Sequence, residues 1–169
     1  TYDFKPDTSW FNDVRLSALR IPGCTASFVS EDGLIMTNHH CAEGLKSRIE
    51  KEGENIEEDG FYAPTLEDER KVDKYYAEQL VLIEDVTDEV SAAFNSAETE
   101  EQKVTVRDAK ISELEEKYKE ETGLRCRVYP LFNGGKYSLY GYKRYTDVRV
   151  VFIPETKIGY FGGDFDNFT

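Results

Sequence analysis

One stretch constrains the fold of this chain more than any other: residues 23–44, with the sequence GCTASFVSEDGLIMTNHHCAEG. Residues 24–30 and 34–37 are short apolar runs whose residue types favour strands. Between them lies Glu31-Asp32-Gly33, and a glycine that follows an acidic residue is typical of a tight reversal of the chain. The stretch therefore predicts a β-hairpin.

The predicted hairpin brings Cys24 and Cys41 together at its open end and places His40 at the end of a strand beside them. A disulfide between the two cysteines would contribute about 3 kcal/mol on the chain-entropy estimate. It would also indicate an oxidising compartment, such as the periplasm or the cell exterior. Two buried free thiols are the alternative, and Cys126 has no expected partner.

The adjacent histidines His39 and His40 are candidate functional residues. They could bind a metal, but neither a His-x-x-x-His nor a Cys-x-x-Cys spacing accompanies them, so no metal or other cofactor is expected. In a serine peptidase, an imidazole takes the proton of the nucleophile and is held in place by a carboxylate. A histidine fixed at a strand end beside a disulfide suits that role.

Composition restricts the classes of protein and partner. The 169 residues are 39% hydrophobic and 33% charged, which indicates a globular chain with one core rather than a disordered one. The net charge of -13 makes nucleic acid and anionic membrane surfaces unfavourable partners, because both would repel the chain. No apolar run approaches the roughly 20 residues of a membrane-spanning helix.

The order of the predicted elements is mainly β with inserted helices. A first helix is expected to be capped by Thr8 or Ser9 and to bury four side chains: Trp10, Phe11, Val14 and Leu19. The strongest helix is predicted over residues 97–121, where Thr99 and Gln102 have capping-box spacing. At least five strands are expected. The candidate segments are residues 24–30, 34–37, 79–83 and 124–132, with two strands within residues 136–153.

The hairpin motif SFVSEDGLIMTNHHC resembles the signature of the family-46 serine peptidases, the bacterial dipeptidyl-peptidases of the chymotrypsin-like clan. Three further stretches are similar to that family: residues 83–87, residues 143–149 and the Gly-Gly-Asp-x-Asp-Asn at residues 162–167. The resemblance covers nearly the whole chain in the same order.

The resemblance implies a fold and a set of site residues. The fold would be the N-terminal part of a chymotrypsin-like double β-barrel, with residues 1–169 as a single incomplete domain and residues 97–121 as an inserted helix. His40 would be the general base, because the catalytic histidine of this clan directly precedes the cysteine. Asn167 would hold the free amino group of the substrate. Phe168 stands where many members have a tryptophan beside that amino group.

The nucleophile is missing from the matched motifs, because no serine lies in Gly-x-Ser-x-Gly or Gly-Asp-Ser-Gly-Gly. The resemblance places the nucleophile, and the aspartate that orients His40, beyond Thr169. Asp147 opens an apolar strand and could be mistaken for that aspartate. Asp147, Asp164 and Asp166 are instead expected to be structural or to support residues that contact the substrate. The chain is therefore expected to be the inactive front part of a longer protein.

The implied function is release of dipeptides from peptide N-termini through an acyl-enzyme, in a bacterial periplasmic or secreted protein. The implied partners are peptides with a free N-terminus and the C-terminal remainder of the same protein, and a second copy of the chain is a further candidate. A non-catalytic, peptidase-like binding module is the alternative function. The residues that follow Thr169 would distinguish the two.

Overall fold

The computed structural model describes residues 4–159. Within this range the chain divides into two compact units. The first unit combines residues 4–78 with residues 145–159, and the second unit is residues 79–144. The assignment of residues 1–169 to one incomplete domain stays a prediction.

Short helices and strands alternate along the described residues. The helices are α1 (Thr8–Ser17), α2 (His39–Glu43), α3 (Lys46–Ile49), α4 (Ile56–Asp59), α5 (Thr87–Asn95), α6 (Glu100–Thr122) and α7 (Thr156–Gly159). The strands are β1 (Ala18–Ile21), β2 (Cys24–Phe28), β3 (Ile35–Thr37), β4 (Phe61–Tyr62), β5 (Arg70–Lys71), β6 (Ala77–Asp85), β7 (Arg125–Leu131), β8 (Lys136–Tyr145), β9 (Arg149–Val150) and β10 (Phe152–Ile153). No helix within residues 4–159 has the length and apolar character that crossing a membrane requires.

The principal sheet has six strands in the order β3-β2-β1-β6-β8-β7. The pairs β1–β2, β2–β3 and β7–β8 are antiparallel, and two small antiparallel ladders join β4 to β10 and β5 to β9. The prediction of a sheet with inserted helices is confirmed. The predicted chymotrypsin-like double β-barrel is not confirmed, because the sheet of the described residues ends at β3 and β7 and is not closed.

The first helix differs from its prediction at both ends. Its N-cap is Asp7, whose carboxylate accepts a hydrogen bond of 2.9 Å from the backbone N–H of Trp10. The prediction of Thr8 or Ser9 was wrong because aspartate caps a helix as well as a hydroxyl residue does. The helix ends at Ser17, so Leu19 is buried in β1 instead, while Trp10 and the two other predicted apolar positions of α1 are exposed.

The core of the first unit lies between its sheet and its short helices. Its buried members come from all parts of the unit and include Leu19, Ile21, Ile49, Ile56, Val72, Ala77, Val150 and Ile153. Cys24 and Cys41 are partly buried against this cluster. The hairpin at residues 24–37 is therefore anchored on the core and does not project from it.

The second unit packs α5 and α6 against β7 and β8. Helix α6 begins with the predicted capping box, in which Thr99 and Gln102 exchange hydrogen bonds with each other's backbone N–H, and it ends at Gly123 in a left-handed conformation. Within this helix, Leu114 is buried but Val104 is exposed. The rest of this core comes from the sheet and α5: Val86, Val90, Cys126, Val128, Tyr137 and Leu139.

We expect Gly60→Ala to destabilise the first unit by about 3 kcal/mol, because it combines backbone strain with overpacking. Gly60 ends α4 with a φ of +69°, and a Cβ built on it would lie 2.8 Å from the carbonyl oxygen of Ile153. Urea unfolding, measured as the change in the free energy of unfolding, checks this prediction.

Gly123→Ala is the matched control for that variant. Gly123 has a similar φ of +71°, but nothing lies within 4 Å of a Cβ built on it. We expect a cost of about 1 kcal/mol, from the left-handed backbone alone. Equal losses in the free energy of unfolding for the two variants would show that the close contact with Ile153 does not destabilise Gly60→Ala.

Candidate active site

The β2–β3 hairpin positions the candidate site. Its register pairs Ala26 with Thr37, and the hydroxyl of Thr37 donates a hydrogen bond of 2.7 Å to the carbonyl of Thr25. At the closed end, Gly33 has a φ of +88°, which glycine adopts without steric strain. The turn predicted at residues 31–33 is therefore confirmed, although β2 ends two residues earlier than expected.

A disulfide joins Cys24 to Cys41, with 6.1 Å between their Cα atoms. Cys24 is the first residue of β2, and Cys41 lies in the first turn of α2, where its backbone N–H donates a hydrogen bond of 3.0 Å to the carbonyl of Asn38. The predicted disulfide is confirmed, and Cys126 is free and buried. The disulfide ties α2 to the start of the hairpin.

His40 lies on α2 and not at the end of a strand, because the helix begins directly after the hairpin. Its side chain is exposed and lines an open groove of about 490 Å³ together with Arg20, Cys24 and Cys41. One of its ring nitrogens lies within 4.8 Å of both sulfur atoms. An imidazole in this position can exchange a proton with a group that enters the groove.

His39 has a different environment from its neighbour. It is only 6% exposed, and neither of its ring nitrogens has a hydrogen-bond partner among the described residues. Burial lowers the pKa of its imidazole, and the positive charge of Lys46 lowers it further. Both effects favour the neutral form of the ring. Within residues 4–159, the group of side chains that could hold a metal contains His40 and not His39.

An ion pair between Arg20 and Glu78 lies beside the groove, and the sequence did not predict it. Arg20 projects from β1, and its Nε donates a hydrogen bond of 3.0 Å to the Oε2 of Glu78. Glu78, near the start of β6, is only 1% exposed. The available signal was a glutamate close to the apolar run at residues 80–83, because a carboxylate that becomes buried requires a cation or several hydrogen bonds.

Of the other aspartates considered in the sequence, Asp147 lies within the described residues. Asp147 is exposed between β8 and β9 and accepts hydrogen bonds of 3.0 and 3.2 Å from Arg149. Lys71 lies 3.5 Å from the same carboxylate. Arg149 holds the pKa of the Asp147 carboxyl below its ordinary value. These contacts are those of a surface ion pair and favour the structural role expected for Asp147.

Four predicted residues lie outside the described range of the structure. They are Asp164, Asp166, Asn167 and Phe168. The roles expected for Asn167 and Phe168 in binding the amino group of a substrate stay predictions.

Comparison with known proteins identifies the family. The family model described as Peptidase S46 matches residues 1–169. The chain belongs to peptidase family S46.

The similar proteins of this family are dipeptidyl-peptidases. Dipeptidyl-peptidase 7 from Capnocytophaga gingivalis is 32% identical over 145 residues, which are 86% of this chain and 20% of that protein. An Asp/Glu-specific dipeptidyl-peptidase from Shewanella putrefaciens is 35% identical over 152 residues, again with 86% of this chain and 20% of that protein covered. The chain thus spans about a fifth of the length of the curated relatives it matches.

A solved structure supports the same assignment. The crystal structure of Porphyromonas endodontalis DPP11 in an alternate conformation matches with a TM-score of 0.74 and 26% sequence identity. The match covers 91% of this S46 chain and 24% of that chain.

We expect removal of the disulfide, by Cys24→Ser with Cys41→Ser, to lower the free energy of unfolding by about 3 kcal/mol, because the unfolded chain regains the entropy of an open loop. The two cysteines are 17 residues apart. Urea unfolding of the oxidised wild type and of the double variant measures the difference. Reduction should remove the difference between them, and a difference that persists after reduction would assign the loss to the serines.

We expect Arg20→Ala to destabilise the first unit by about 2 kcal/mol, because it removes charge-assisted hydrogen bonds from the buried carboxylate of Glu78. In a Glu78→Gln background the same change should cost much less, since no buried charge is left behind. A double-mutant cycle from urea unfolding gives the coupling. An equal cost of Arg20→Ala in both backgrounds would show that the pair does not stabilise the fold.

Proposed function

We propose that this S46 chain is the histidine-bearing N-terminal portion of a serine-type dipeptidyl-peptidase, which releases dipeptides from the N-terminus of peptides. The position of His40 carries the proposal: an exposed imidazole on a helix that a disulfide ties to a hairpin, at the edge of an open groove. The similar dipeptidyl-peptidases of the same family support it.

His40 is the proposed general base. Its imidazole takes the proton from the hydroxyl of a serine as that serine attacks the peptide carbonyl, and then gives the proton to the leaving amine. The dipeptide remains bound to the serine as an acyl-enzyme. His40 next removes a proton from a water molecule that attacks the acyl-enzyme, and it returns that proton to the serine oxygen as the dipeptide is released. Each transfer requires an imidazole at a fixed distance from its partner, and the tether at Cys41 restricts the movement of α2.

The two partners of His40 are proposed to lie in the part of the protein that follows this chain. A serine must attack, and an aspartate must hold the imidazole in the correct tautomer. The sheet of the first unit would then be one portion of a chymotrypsin-like double barrel. Such a barrel would be completed by the same remainder of the protein.

Asn167 and Phe168 are the proposed amino-terminal clamp. The amide oxygen of asparagine can accept a hydrogen bond from the substrate ammonium, and the face of an aromatic ring attracts a cation. A clamp for the ammonium sets how far the cleaved bond lies from the substrate N-terminus. This distance would limit the product to a dipeptide.

Two further observations bear on location and specificity. The disulfide supports a periplasmic or secreted protein, because such bonds persist in oxidising compartments. The chain is about equally similar to a dipeptidyl-peptidase 7, at 32% identity, and to an Asp/Glu-specific enzyme, at 35% identity. We infer that the residues selecting the side chain before the cleaved bond lie elsewhere in the protein.

We expect His40→Ala, made in the complete protein, to lower kcat/KM for a fluorogenic dipeptide substrate by about 1,000-fold or more, because proton transfer to and from the nucleophile is lost. Glu43→Ala is the matched control, since Glu43 is exposed on the same helix. It should leave kcat/KM within about twofold of wild type. The 169-residue chain alone should show no turnover.

Two results would contradict the proposal. Turnover by the 169-residue chain alone would show that no nucleophile from the rest of the protein is needed. A complete protein that binds peptides but does not cleave them, whether or not His40 is present, would instead show a peptidase-like binding module.

A further inference from the structure

The side chains of Cys24, His40 and Cys41 form a cluster that the proposed peptidase mechanism does not use as a whole. A ring nitrogen of His40 and the two sulfur atoms all lie within 4.8 Å of one another. Two thiolates and an imidazole are ligands that zinc prefers, at about 2.3 Å for sulfur and about 2.0 Å for nitrogen. A tetrahedral ion with such bonds separates its ligand atoms by roughly 3.5–3.8 Å. The two sulfur atoms are bonded to each other in the disulfide, so they must separate to reach this geometry, while the His40 nitrogen already lies within 4.8 Å of both.

The disulfide prevents metal binding while it is intact, because a disulfide sulfur is not a thiolate. We propose that reduction of the Cys24–Cys41 disulfide turns this cluster into a binding site for a zinc-like divalent cation. Cys24, Cys41 and His40 are the three protein ligands, and a water molecule from the open groove is the fourth. The proposal concerns metal binding and does not require the chain to be part of an active peptidase.

The backbone holds the two cysteines together without the help of the disulfide. The register of Ala26 with Thr37 and the hydrogen bond from Thr37 to Thr25 keep the open end of the hairpin closed. The hydrogen bond from the Cys41 N–H to Asn38 keeps Cys41 in the first turn of α2. The thiols therefore remain close after reduction, so the ordering cost of binding a metal is low.

The chemistry of the switch balances. A phosphine reductant and one water molecule convert the disulfide into two thiols and leave a phosphine oxide, and a dithiol reductant does the same while forming its own disulfide. The metal then displaces the two thiol protons, because only thiolates bind it. The two thiolate charges neutralise the divalent cation. Arg20, which lines the same groove, would repel the cation, but its charge is paired with the carboxylate of Glu78.

Metal binding would have a consequence for catalysis, and this clause rests on the proposed function. A metal on the His40 ring occupies a nitrogen lone pair, so the imidazole can no longer serve as general base at that atom. Zinc should then inhibit peptidase activity after reduction and not before it. Reduction alone would leave His40 in place and the site empty.

Cobalt(II) titration tests the site directly, because tetrahedral cobalt bound to thiolates has intense visible bands and zinc removes them by displacement. The complete protein is reduced with a phosphine under anaerobic conditions. We expect one equivalent of cobalt to bind, with thiolate-to-cobalt charge-transfer absorption. The oxidised protein should not show these bands.

Variants distinguish cobalt binding at this cluster from cobalt binding by other thiols of the protein. Cys24→Ser with Cys41→Ser should abolish the bands, and it is compared with reduced wild type because both then lack the disulfide. His40→Ala, which retains both cysteines, should raise the Kd for cobalt by about tenfold or more. Cys126→Ala is the control and should bind as wild type does, because Cys126 is buried in the second unit.

Several results would overturn the proposal. They are equal binding by oxidised and reduced protein, unchanged bands in the double serine variant, and an unchanged Kd in His40→Ala. Far-ultraviolet circular dichroism of each variant shows that it is folded, and if the double variant is not, the His40→Ala result decides. If the complete protein shows no peptidase activity when oxidised and metal-free, that result counts against the proposed function and not against the metal site.

Discussion

The antiparallel pairing of β2 with β3 is the interaction on which the candidate site depends. The turn at Gly33 sets the register. This register pairs Ala26 with Thr37, and the hydroxyl of Thr37 donates a hydrogen bond to the carbonyl of Thr25. A slip by one residue would turn every side chain of β3 to the other face of the sheet. Cys24 and Cys41 would then no longer meet. The disulfide therefore locks an arrangement that the ladder has already specified, and it holds α2 and His40 beside the groove.

The start of α2 explains why two adjacent histidines differ. Successive residues of a helix point about 100° apart, so a helix that lies on a core buries one neighbour and exposes the next. His39 faces the protein interior with a lowered pKa, and His40 faces the groove. A catalytic imidazole must reach its substrate, and of the two histidines only His40 lines the groove.

Family membership and geometry support the proposed peptidase function in different ways. The S46 family relates the chain to dipeptidyl-peptidases, of whose length it spans about a fifth. The geometry adds features that family membership does not: the ion pair of Arg20 with buried Glu78 beside the groove, and the sulfur atoms close to the His40 ring. The ion pair follows from where β1 meets β6, and the sulfur cluster follows from where β2 meets α2.

The amino-acid sequence by itself determined the hairpin with its turn at Gly33, the capping box at Thr99 and the family motif around His40. These features depend on residues close together in the chain, whose preferences are read locally. Only the tertiary structure decided which histidine is buried, that Trp10 is exposed, and that Arg20 meets Glu78 across 58 positions of sequence. Such features depend on which distant segments pack together, and local residue preferences do not contain that information.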